Sequence, residues 1–254
     1  MNVTLQQAHT LFRRNHLYQY EGMQLRVLWH LIMPCLPIVL YNFLNLLGVF
    51  QNTESDLPKS LIISVGISLY LAFSESFVGC NNALEINKNY IAKTGLGFFA
   101  CHLSVIYSVV MSFLIRYTVI IFLLIIYKVD FGIGVIVGPF FCLLIIVFGS
   151  SIGVLTSIVS VFYKDVSNII QALAFYLLFA SGVFGSIDQA TPIGRALGYL
   201  PTYIFVDNGK SIVLGTLEIN HQEIIWVSIL SAFLAVLAIT FTRNVKGLML
   251  DYMK

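Results

Sequence analysis

FGSSIGVLTSIVSVFYKDVSNIIQALAFYLLFASGVFGSID, residues Phe148 to Asp188, is the stretch on which the fold of this chain turns. A Gly- and Ser-containing apolar run meets a charged Tyr163-Lys164-Asp165 break, and a second apolar run continues to Gly182 and Gly185. Each run approaches the roughly 20 apolar residues that cross a hydrocarbon core of about 30 Å. Lipid offers no partner to a backbone N–H or C=O, so both runs are predicted to be helices. The break holds a cation and an anion but neither Pro nor Gly, which suits a tight turn at a membrane surface.

Composition extends this reading to the whole chain. With 58% hydrophobic and 10% charged residues and a mean hydropathy of +0.89, its 254 residues describe a polytopic membrane protein rather than a soluble domain. A net charge of +2 without a long single-sign block gives no support to nucleic-acid binding. Cys35, Cys80, Cys101 and Cys142 lie in or beside apolar runs without metal-ligand spacing, so they read as small buried hydrophobes. Residues 1–28 carry no cleavable signal pattern, which places the start of the chain on the cytoplasmic side.

Upstream of the break, the fourth span is expected over Ile133 to Ser160. Gly134, Gly138, Gly149 and Gly153 form two small-residue pairs at spacing four, and these predict close helix packing. Before it, Phe98 to Tyr127 is apolar for about 45 Å of helix, longer than the core requires, so its first residues are expected to lie along the interface before crossing. Arg116 sits deep in this third span, where a lone cation costs about 2.5 kcal/mol or more and must face protein or water.

The second span, about Leu61 to Val78, aligns Ser64, Ser68, Leu71 and Glu75 on one polar face. Glu75 fits either a functional site or snorkelling at the inner end. Its position one or two turns nearer the inside than Arg116 argues against pairing the two. The first span, about Leu31 to Phe50, opens with Trp29 and has Pro34 in its first turn. Residues 3–20 place Leu5, Ala8, Leu11, Phe12 and Tyr18 opposite Arg13, as an interfacial helix would, although an ordinary cytosolic helix fits the same pattern.

Downstream, Asn168, Gln171, Phe175, Leu178 and Gly182 step by three and four along the fifth span, a stripe that suits either an aqueous path or helix contact. Gly185 to Glu223 contains apolar pieces too short to span, expected to be external re-entrant or interfacial helices. The sixth span is about Ile224 to Phe241. Nine Lys and Arg fall in the expected inner segments (Arg13, Arg14, Arg26, Lys88, Lys93, Lys164, Arg243, Lys246, Lys254) against four outside (Lys59, Lys128, Arg195, Lys210). That bias puts both termini in the cytoplasm. The expected fold is therefore an all-α, six-span bundle over 29–241, with an interfacial segment at 1–28 and a cytoplasmic tail at 242–254.

Catalytic motifs are weak. Gly209-Lys210-Ser211 ends like a phosphate-binding loop, but Ile204 stands where the first glycine is needed, and no hydrolase or zinc-protease spacing occurs. The order of features resembles the integral-membrane subunit of type-2 ATP-binding-cassette exporters, in the group that exports O-antigen, capsule and teichoic-acid polymers. The resemblance rests on the Leu25-to-Pro34 lead-in with Trp29, on Tyr163-Lys164-Asp165 in place of an aromatic-Arg-Asp signature, and on the short helices expected over Gly185 to Gly215.

The resemblance implies a homodimeric permease in the bacterial inner membrane. A separate ATPase dimer would hold the ATP and Mg, with no cofactor in this chain, and the substrate would be a lipid-linked polysaccharide. It implies ATPase coupling through the loop from Asn81 to Lys93, with Asn82, Glu85 and Lys88, aided by the N-terminus. Sugar polymers slide on aromatic faces, so Tyr41, Phe175 and Tyr176 join Ser68, Glu75, Arg116 and Gln171 as candidate channel-lining residues. A drug or small-lipid exporter, or an ion-coupled carrier using Glu75 and Arg116, are the alternatives.

Overall fold

The computed structural model describes residues 2–17, 26–49, 57–129, 132–185, 191–215 and 220–253, all in helices, turns and short links. Ten α-helices follow in order: α1 (Asn2–Phe12), α2 (Arg26–Leu46), α3 (Lys59–Ile86), α4 (Lys88–Thr94), α5 (Phe98–Ile126), α6 (Ile133–Phe162), α7 (Lys164–Ala180), α8 (Pro192–Gly198), α9 (Pro201–Leu214) and α10 (His221–Met253). A π-helical turn, Arg13–Leu17, extends α1. Residues 18–25 of the expected interfacial segment, most of the expected 51–59 loop and Asp188 lie outside the described residues.

Punctuation in the sequence sets most boundaries. Pro58 has the extended backbone that precedes a helix, and its carbonyl accepts from Leu61 N at 2.9 Å. Thr191 Oγ1 accepts from Gly194 N at 3.0 Å, with Pro192 behind it at the first helical position. Gly95 ends α4 with φ +64°, a left-handed geometry that costs a residue with a Cβ. The charged break is reduced to a single junction residue: Tyr163 closes α6 and caps α7 in extended geometry.

Among the described residues four helices are long and apolar enough to cross a membrane: α3, α5, α6 and the His221–Val245 part of α10. The apolar Leu31–Leu46 part of α2 and the 17-residue α7 are shorter. At 1.5 Å per residue both reach only about 25 Å. The centre of the bundle is α3, whose apolar window is 72% buried, and the periphery is α10, at 17%. α3 packs against α2, α5, α6, α7 and α9.

The Gly149/Gly153 pair acts where α6 meets α3, whereas Gly134 and Gly138 face Ile212 and Val213 of α9. A Cβ on Gly149 would stand 2.7 Å from the Phe73 carbonyl oxygen, and one on Gly153 would stand 2.8 Å from Cys80 Cβ. Helix contact within the chain thus accounts for this pair, as its spacing predicts.

Several boundaries differ from expectation. α2 begins at Arg26, so Pro34 and Pro37 lie in the helix interior rather than the first turn. Proline is tolerated at such positions in membrane helices because neighbours and local adjustment satisfy the freed carbonyl. α5 is one continuous helix without an interfacial turn, because Phe98, Ala100, Cys101 and His102 are already buried at its start. α10 carries its helix through the expected tail to Met253, with Met249 buried in one cluster with Leu11, Ile91 and Phe98.

The short helices after α7 are unlike each other. α8 is largely exposed, whereas α9 has twelve buried residues of fourteen and packs on α6 and α3. Lys210, placed outside by the charge count, is buried: its Nζ donates to Gly182 O at 2.8 Å and lies 3.2 Å from Asp207 Oδ1. A signal for this was present, since apolar runs, Tyr203 to Val206 and Ile212 to Leu214, flank the helical turn Asp207 to Ser211 on both sides. Gly182, at φ +69° under the Tyr203 ring, turns the chain so that its carbonyl meets this lysine. Lys210→Met is expected to cost about 2 kcal/mol, because the Gly182 carbonyl loses its donor while Asp207, a third exposed, can still hydrate. Thermal unfolding of the detergent-solubilised chain measures it, and an unchanged midpoint would contradict a structural tie.

Candidate functional site

Two clusters gather the polar residues singled out from the sequence. The first lies at the end of the bundle that carries α4 and the α6–α7 junction. α3 runs on through Asn81 and Asn82, so the expected 81–93 loop is a helix end, a one-residue joint at Asn87 and α4.

Asn81 is fully buried, and its Oδ1 accepts from Ser160 Oγ at 2.7 Å. Its Nδ2 donates to Asn82 Oδ1 at 2.9 Å, which also accepts from Ser167 Oγ at 2.6 Å. These amides therefore tie α3 to α6 and α7 instead of facing outward, because a buried amide needs partners and hydroxyls of the neighbouring helices supply them. Glu85 stands 3.8 Å from Lys164, whose side chain is 84% exposed, so this pair adds little to stability. Lys93, Tyr163, Lys164 and Asp165 are exposed at the same end, and Lys88 is half-buried.

The N-terminal segment joins this cluster. Ala8 and Leu11 are buried, and Phe12 meets Tyr107 edge-on at 6.3 Å. Arg14 Nη2 donates to Asn87 Oδ1 at 2.7 Å, and its guanidinium lies 4.1 Å over the Tyr90 ring. A groove of about 590 Å³ runs between α1 and α4, walled by Gln6, His9, Arg13, Arg14, Tyr90 and Thr94.

The second cluster is a groove of about 590 Å³ between α2, α3 and α7. Tyr41, Glu75, Gln171 and Phe175 line it together with Pro37, Tyr70 and Ser74. Tyr41 packs on Phe184 at 5.2 Å, and Phe184 continues to Phe179 at 5.8 Å. Tyr70 OH donates to the Ala174 carbonyl, which fixes α3 against α7 at the floor.

Three expected lining residues are elsewhere. Ser68 is buried with its hydroxyl turned onto its own helix at Ser64 O, 2.8 Å away. Tyr176 is 70% exposed on the outer side of α7. Arg116 has no exposed surface and stands behind the groove wall. The stripe on α7 is also split: Asn168, Gln171 and Phe175 are exposed, while Leu178 and Gly182 are buried.

Arg116 and Glu75, expected not to meet, form a bidentate pair, with Nη1 to Oε1 at 2.5 Å and Nη2 to Oε2 at 2.8 Å. Side chains lean toward the N-terminus of their own helix. α3 and α5 run in opposite directions, so Glu75 leans toward Arg116 and Arg116 toward Glu75. The two leans and the length of the arginine close a gap of about two turns. Arg116 Nε has no partner among the described residues, so its charge depends on this one carboxylate. Glu75 differs, with 35% of its side chain exposed at the groove.

A family model described as ABC-2 type transporter matches residues 6–207, from α1 into α9. No curated protein is similar enough to this chain to count as a match.

Proposed function

Because the chain belongs to the ABC-2 type transporter family and is thus a transport permease component of the membrane, we propose that it exports a lipid-linked cell-surface polysaccharide of O-antigen, capsule or teichoic-acid type. It works as a homodimer in the bacterial inner membrane, with six crossings per copy, both termini cytoplasmic, and ATP and Mg held by a separate ATPase dimer. The ion-coupled carrier considered from Glu75 and Arg116 gives way to the family, whose transport is driven by nucleotide hydrolysis.

The observation that carries the substrate reading is the groove between α2, α3 and α7. Among aliphatic residues such as Leu36, Leu40, Leu71 and Val78, its wall sets ring faces (Tyr41, Phe175) beside hydrogen-bonding groups (Ser74, Glu75, Gln171). Sugars present the same alternation, apolar C–H faces between hydroxyls, so a chain of them is wetted along its length without one tight site. Drugs and small lipids require no such repeated polar contact.

Work from the ATPase enters at the end carrying α4. Exposed Asn89, Tyr90 and Lys93, with Glu85 and Lys88, offer both charge signs and an aromatic for an interface. The buried Asn81 and half-buried Asn82 carry displacement onward to α6 and α7 through Ser160 and Ser167. Alanine at Lys88, Tyr90 and Lys93 together is expected to cut ATPase recovered with the tagged chain about tenfold while membrane insertion persists. Unchanged recovery would contradict the docking site. Deletion of the gene is expected to strip polymer from the cell surface and accumulate its lipid-linked form inside. Intact surface polymer with new drug sensitivity would assign the chain to a drug exporter instead.

A further inference from the structure

We infer that the groove between α2, α3 and α7 selects for a glycan without fixed negative charge, with Glu75 as the residue that excludes anionic polymers. This rests on the polysaccharide reading above and narrows it: phosphate-bearing polymers of the teichoic-acid kind are disfavoured.

The argument begins with the charge content of the groove. Among the described residues that line it, Glu75 is the one carboxylate, and neither Lys, Arg nor His is present. The compensating cation is Arg116, which is wholly buried behind the carboxylate. An approaching substrate therefore meets the negative end of the pair first. Arg116 grips the acid from behind through two charge-assisted hydrogen bonds at 2.5 and 2.8 Å.

Acceptor capacity points to the kind of group that is welcome. A carboxylate offers about four lone-pair sites, and the bidentate arginine takes two. The others are available on the groove side, where 35% of the side chain is exposed. A hydroxyl can donate to them. A phosphate or carboxylate cannot, and it meets like-charge repulsion from Glu75. Nearby Gln171 and Ser74 can serve hydroxyls equally well, and Tyr41 and Phe175 supply faces for the C–H surfaces between them. At Glu75 the groove therefore favours an uncharged, hydroxyl-bearing chain over an anionic one.

Tail-labelled maltohexaose on a short isoprenoid lipid and its phosphorylated counterpart, one phosphate per sugar, test this. Each is titrated by fluorescence anisotropy against the permease–ATPase complex in phosphatidylcholine nanodiscs. The uncharged probe is expected to bind about tenfold more tightly than the phosphorylated one, and Glu75→Gln to narrow the gap to about twofold. If Glu75→Gln fails to fold with Arg116 left unpaired, Glu75→Gln with Arg116→Gln removes both charges and should narrow the gap equally. Equal or tighter binding of the phosphorylated probe by the native complex overturns the charge selection and leaves glycan export standing. A gap unchanged in the folded variants overturns the role of Glu75. Failure of both probes to bind takes the glycan reading down as well.

Discussion

Replacing Glu75 by alanine is expected to destabilise the chain by about 3 kcal/mol, far more than replacing its partner Arg116 by leucine, at about 1 kcal/mol. The asymmetry follows from where each charge is left. Arg116 has no solvent-exposed surface and no second acceptor for Nε among the described residues, so without Glu75 it is a desolvated cation in the middle of α5. Glu75 without Arg116 retains its opening to the groove and can be hydrated there. Leucine fills part of the arginine volume beside Phe113 and Ile120, the buried i−3 and i+4 neighbours on α5, and an apolar replacement of a buried charge is often well tolerated. The double substitution should recover most of the loss, giving a coupling of about 2 kcal/mol in a mutant cycle. Fluorescence-detected gel filtration after a heat series measures all three variants. A result in which Arg116→Leu is the more damaging would mean that the cation is satisfied elsewhere.

This pair also marks how far the sequence could be read. Arg116 in an apolar run announced that a partner was needed, and Glu75 was the nearest acid. Residue depth alone argued against the contact, because counting 1.5 Å per residue locates Cα atoms and omits the opposed lean of side chains on antiparallel helices. The polar face of α3 was visible too, but its meaning was not. Ser64 and Ser68 turn their hydroxyls onto the carbonyls of Ser60 and Ser64, at 2.6 and 2.8 Å, and so pack into a dry core. A serine that can satisfy its own helix gives no sign in the sequence of whether it faces water. Asn81 and Asn82 were read as loop residues from polarity, whereas hydroxyls 79 and 85 positions away make them interior. That complementarity exists only between helices. Helix existence, the Tyr163 break and the close-packing glycines needed local information alone, and those were legible.

The second large effect is expected at Gly153, where valine should abolish the folded chain in detergent. Gly153 sits where α6 crosses α3 at backbone contact, beside the Phe77 carbonyl and 2.8 Å from Cys80 Cβ by the position its own Cβ would take. Neither neighbour can step aside by rotating a side chain: one is main chain and the other is a Cβ. The helices must therefore separate over their length, and that separation propagates. Asn81 N also lies 3.2 Å from that added atom, so the shift falls on the residue whose amide holds Ser160. The aromatic stack of Phe73 on Phe77 and Phe148, at 5.7 and 5.8 Å, lies within two turns of the same crossing. Overpacking a core by a methyl or two costs about 1–3 kcal/mol where side chains can adjust. Here they cannot, and the loss is expected at the top of that range for alanine, whose Cβ already meets both neighbours, and above it for valine. Gly247→Val is the matched control, since nothing lies within 4 Å of a Cβ added there. It should leave yield and melting temperature within error of the unsubstituted chain. Equal yields for the Gly153 and Gly247 variants would mean that α3 and α6 do not pack at backbone distance, and the polar tie from Asn81 to Ser160 would lose its basis.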